Sequence, residues 1–109
     1  MATEETTADR LKEAMKLATK ELEAAANECA SLTAASDAAT ADHERLTALI
    51  KPVRNAAQFV KDEVASSEKR AAGAVDAKKR AERRVAQAQI RVDDLRLAEK
   101  QLKAAGLLK

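Results

Sequence analysis

The chain has 109 residues, enough for one domain or one repeat-like segment. Charged residues make up 35%, while the 46% counted as hydrophobic is more than half alanine, with Phe59 as the single aromatic. Alanine buries little area, so a compact core of normal size is excluded, and a chain rich in Ala, Glu, Lys, Leu and Arg reads as long helices or coiled coil.

Net charge is +2, unevenly spread. Residues 1–68 carry 8 Lys/Arg against 13 Asp/Glu, and residues 69–109 carry 12 against 5. The two parts are electrostatic complements that can pair with each other or meet separate partners. Two glycines and one proline leave little turn chemistry, and no alternating Val/Ile/Thr run marks a strand. There is no charged-then-apolar leader and no apolar run of membrane-spanning length, so neither secretion nor membrane spanning is expected. The lone Cys29 fits a reducing compartment, which sets the expectation at intracellular, cytoplasmic or nuclear.

The first helix is expected over about residues 7–50. Thr6 or Thr7 can cap it, with Asp9 and Glu13 in its first turns. Counting from Leu11, d positions fall at Leu11, Ala18, Ala25, Leu32, Ala39 and Leu46, and a positions at Met15, Leu22, Cys29, Ser36, His43 and Ile50. Ser36 to Asp42, where Ser, Thr and Asp cluster, reads as a softer section. Pro52 interrupts the helix, and Lys51 before it is biased from helical angles, so a break or kink is placed at 51–55.

The second helix is expected over about 56–105, with Gly106 at its end. The seam runs on in phase through Val53, Ala57, Val60, Val64, Ser67, Ala71, Ala74, Ala81, Val85, Ala88, Val92, Leu95 and Leu102, interrupted by Lys78 and Glu99. A second apolar stripe, Ala86, Ile90, Leu97, Ala104 and Leu108, calls for more than one neighbour at this end.

Charge decides direction. A parallel pair would set Glu63 against Glu68 and Arg91 against Arg96, both repulsive. An antiparallel pair sets Glu21 against Arg91, Glu28 against Arg84 and Asp42 against Arg70, in one alignment centred near residue 56. Phase continuity through Pro52 argues for a kinked continuous helix; the charge layout argues for an antiparallel one. The expected fold is all-α: heptad-patterned helices in an antiparallel hairpin or coiled coil, assembling into a dimer or bundle. The expected seam residues are Leu11, Met15, Leu22, Leu32, Leu46, Ile50, Val53, Val60, Val64, Val85, Val92, Leu95 and Leu102.

Chemistry is sparse. His43 and Cys29 share the seam, but 14 positions separate them, roughly 21 Å along one helix. They read as a register-setting polar residue and a small filler. Glu4-Glu5, Asp62-Glu63 and Asp93-Asp94 are neighbours that point to different sides of a helix. There is no Glu-x-x-His, Gly-rich phosphate loop or Cys-x-x-Cys. No enzyme activity, cofactor, metal or small-molecule substrate is expected.

The residues most able to hold an anionic partner are Lys69, Arg70, Lys78, Lys79, Arg80, Arg83, Arg84 and Arg91. They would hold an acidic filament such as a microtubule, or nucleic-acid phosphate without sequence reading, since no aromatic is present there to stack on bases. A membrane surface is not expected, because this stretch lacks bulky apolar residues.

The pattern resembles coiled-coil segments of cytoskeletal and chromosome-segregation proteins, and Ser66 to Ala88 resembles stress-protective helical repeats in composition. The expected function is a non-enzymatic module that oligomerises, or binds a helical protein partner, and scaffolds or spaces other proteins. The alternatives are the basic-face binder and the stress-protective helical protein.

Overall fold

In a computed structural model that describes residues 6–108, the chain is an all-α helical hairpin. Helix α1 spans Thr7–Ile50 and helix α2 spans Gln58–Ala104. Glu4 and Glu5 lie outside the described residues.

Backbone hydrogen bonding explains each helix end. At the start of α1, the Asp9 N–H donates to Thr6 Oγ1 at 3.1 Å, and the Thr6 N–H donates to Asp9 Oδ2 at 3.4 Å. This reciprocal capping box makes Thr6 the cap. At the other end, the Lys51 N–H still reaches the Thr47 carbonyl at 3.0 Å. Pro52 has no N–H, and the next donor, on Val53, reaches Ile50 at 2.8 Å. The helical ladder stops there, and the chain turns back. The Ala57 carbonyl then accepts from Val60 and Lys61 at 3.0 and 3.1 Å, which starts α2 two residues later than sequence suggested.

The end of α2 is a Schellman motif. The Leu107 N–H donates to the Leu102 carbonyl at 2.9 Å and the Gly106 N–H to that of Lys103 at 3.1 Å. Gly106 takes the positive φ, 77°, that the motif requires. Ser36 to Asp42, expected to be softer, is helical throughout.

The packing divides into two compact units. Unit 1 joins Met1–Asn27 to Arg83–Lys109, and unit 2 is Glu28–Glu82. In unit 1, Ala18, Val92 and Leu95 are buried, with Leu11, Ala14, Met15 and Leu22 packed against them. The start of α1 thus lies against the end of α2, which makes this pairing antiparallel. In unit 2 the buried residues are Ser36, Ser67, Ala71 and Ala81. Its larger seam residues, Leu32, Leu46, Ile50 and Val64, are half-buried.

All of these buried residues fall on positions assigned a or d from the sequence. Small residues take the deepest places because short side chains let two helix backbones approach closely. At roughly 25 cal/mol per Å², such layers contribute little hydrophobic stabilisation.

Candidate interaction surfaces

The seam residues separate by depth. Val92 and Leu95 are buried, while Leu11, Met15, Leu22, Leu32, Leu46, Ile50, Val64, Val85 and Leu102 are half-buried. Val53 and Val60 differ, being 51% and 40% exposed. Val53 lies in the connector and Val60 in the first turn of α2, at the open groove beside the last turn of α1.

Unit 2 contains one cross-helix polar contact with a defined donor order. Ser67 Oγ lies 2.7 Å from the Val64 carbonyl and 2.8 Å from His43 Nδ1. A hydroxyl has one proton, and a carbonyl can only accept it. Ser67 therefore donates to Val64 and accepts from His43, which places a proton on Nδ1. His43 opposite Ser67 centres the pairing near residue 55, the alignment that also puts Asp42 opposite Arg70. Asp42 nevertheless accepts from Arg45, on its own helix, at 2.7 Å.

In unit 1, Glu21 and Arg91 line one shallow depression of about 310 Å³, together with Arg84. Arg91 itself reaches Asp94 at 3.9 Å.

The basic residues also divide. In unit 2, Lys69, Lys79 and Arg80 are exposed on outward positions of α2, Arg70 is exposed beside the seam, and Lys78 is half-buried at an a position. In unit 1, Arg83 is exposed and outward, whereas Arg84 and Arg91 flank the seam. Arg70, Arg84 and Arg91 lie beside the seam, and Lys69, Lys79, Arg80 and Arg83 face solvent.

Two apolar surfaces remain uncovered. In unit 1, Ile90 and Leu97 are 66% and 52% exposed on the outer stripe of α2 that also carries Ala86 and Ala104. In unit 2, the connector end holds an open groove of about 380 Å³ between Leu46, Leu49, Ile50, Val53, Phe59 and Val60. Leu49 and Phe59 both fall off the a/d seam, so the seam count assigns them no place; the available signal was their position on either side of the break at Pro52, where helical coverage ends.

Cys29 is a free, half-buried thiol. Among the described residues, no group of three or more His, Cys, Asp or Glu could hold a metal ion, and no helix is long and apolar enough to cross a membrane. Comparison with protein-family models, curated proteins and solved structures gave no match.

Proposed function

We propose that this chain is a non-enzymatic helical module that associates through an outer face of α2 and spaces or scaffolds the proteins it joins. The supporting observation is the exposed stripe in unit 1. Ile90 and Leu97 stand seven residues apart on one helical line, with Ala86 and Ala104 extending it, and α1 does not cover them. A helix with a second apolar line is built to meet a second helix. The thin core of the same unit, where Ala18, Val92 and Leu95 are the buried residues among those described, leaves stabilisation to be gained from such a neighbour. A second copy of the chain is the simplest partner.

Sedimentation equilibrium tests this reading. The wild-type chain is expected to be dimeric or larger, and Ile90→Asp with Leu97→Asp monomeric with unchanged helicity. A monomeric wild type, or a variant that still associates, overturns it.

The outward cations support a second reading, in which an acidic filament or nucleic-acid phosphate binds along α2. Charge reversal of Lys79, Arg80 and Arg83 to Glu is then expected to abolish cosedimentation with an acidic polymer or DNA at low salt. Counterion release makes the wild-type binding fall steeply as salt is raised. No wild-type binding at low salt rejects this reading.

A further inference from the structure

Of the uncovered surfaces, the connector end of unit 2 combines shape, apolar character and an excess of cations. Phe59, the only aromatic in the chain, is 73% exposed, Leu49 is 67% exposed and Val53 is 51% exposed. They surround the turn at Pro52 rather than lining the seam. Cations predominate here: from Arg45 to Lys61 the sequence holds four, Arg45, Lys51, Arg54 and Lys61, and no Asp or Glu. Lys51, Arg54 and Lys61 are all exposed. Arg45 is held by Asp42, and one carboxylate, Glu63, lines the α2 side of the groove, with Asp62 beside Lys61. This stands out because residues 1–68 as a whole carry an excess of acid.

We propose that the hairpin's connector end is a docking tip for the surface of an anionic lipid bilayer. Leu49, Val53 and Phe59 enter the boundary between headgroups and acyl chains, and Lys51, Arg54 and Lys61 lie against lipid phosphate. Stable peripheral attachment needs two signals, apolar insertion and a basic cluster, and this end supplies both. The contact is superficial, since no described helix is long and apolar enough to cross a membrane. The argument from sequence against a membrane surface applied to the basic stretch of α2, where bulky apolar residues are missing; at the connector the two features coincide. The charges also select the partner. A second copy docked tip to tip would set these cations against their own counterparts, whereas an anionic surface neutralises them. This inference does not rest on the association face proposed for unit 1.

The chain lacks Trp and Tyr, so Phe59→Trp installs a single fluorescent reporter at the tip. With low-salt vesicles of phosphatidylglycerol and phosphatidylcholine, its emission is expected to shift to the blue; with phosphatidylcholine alone it should not. In vesicle cosedimentation, Lys51→Glu, Arg54→Glu and Lys61→Glu are each expected to weaken binding roughly fivefold or more, since each cation near an anionic surface contributes about that factor. Leu49→Ser with Phe59→Ser should abolish binding, with helicity by circular dichroism unchanged because both sites are exposed.

Four results would overturn the proposal. The first is no blue shift with anionic vesicles. The second is vesicle binding that the tip variants do not weaken, which places lipid elsewhere on the chain. The third is a concentration-dependent blue shift without vesicles, which assigns the tip to a second copy. The fourth is an equal shift with polyglutamate, which assigns it to an acidic protein.

Discussion

The two glycines do opposite work at the residue scale. Gly73 sits inside α2, where an added Cβ would meet nothing within 4 Å. Glycine there only adds conformational entropy to the unfolded chain, so Gly73→Ala is expected to stabilise the hairpin by about 1 kcal/mol. Gly106 holds the positive φ that ends α2, and a Cβ in that left-handed conformation is strained whatever space surrounds it. Gly106→Ala is therefore expected to destabilise by about 1 kcal/mol and fray the last turn. Thermal unfolding followed at 222 nm reads both signs; a loss of stability in the Gly73 variant would show that position to be packed. The value of Gly106 was legible from its place near the chain's end. The cap was legible as Thr6 or Thr7, and the reciprocal contact with Asp9 selects Thr6. The depth of Ser67 was not, because its partners, His43 and the Val64 carbonyl, are brought together only by folding.

At the scale of elements, the outcome turned on Pro52. Heptad phase through the proline argued for a continuous kinked helix, and charge argued for antiparallel helices. The hairpin follows the charge: α1 ends at Ile50 and α2 begins at Gln58, so no continuous helix runs through Pro52, while small a and d residues still face one another across the antiparallel pair. The His43–Ser67 contact gives a direct check. Replacing both with Cys in a Cys29→Ser background, then treating with a short thiol cross-linker, is expected to yield an intramolecular product of monomer mass. A covalent dimer as the main product would instead mean that two straight chains cross. Ion pairing was less legible than the seam. Arg45 with Asp42, Arg96 with Asp93 and Lys103 with Glu99 all pair along one helix, because residues three or four apart are always within reach. Exposed pairs of this kind stabilise by only a few tenths of a kcal/mol each. They do not specify the fold.

Function belongs to the scale of the whole molecule, because several large apolar side chains lie outside the seam. Ile90 and Leu97 line the outside of unit 1, and Leu49, Val53 and Phe59 crowd the connector end of unit 2. The two proposals use different residues and fail independently. Loss of self-association in the Ile90→Asp, Leu97→Asp variant is expected to leave vesicle binding by the tip in place, and the tip variants are expected to leave association unchanged. Among the cations, helical position separates roles. Arg70, Arg84 and Arg91 lie beside the seam, while Lys69, Lys79, Arg80 and Arg83 face outward, so charge reversal of the outward residues should change binding without unfolding the hairpin.

What the sequence by itself determined is everything that depends on near neighbours. Alanine content and apolar spacing specify long helices, Thr6 and Gly106 mark two ends, Pro52 marks the interruption, and the a/d count anticipates which side chains are buried. These follow from helix geometry and backbone hydrogen bonding, which act over a few residues. Only the tertiary structure decided which a and d positions lose their cover. Val53 and Val60 share the seam's phase with Val92, yet they are exposed at the end of the hairpin, where the chain reverses and the groove stands open. The same reversal turns one contiguous stretch, residues 49–61, into an exposed end: its apolar and basic content is local, and its exposure comes from the chain folding back.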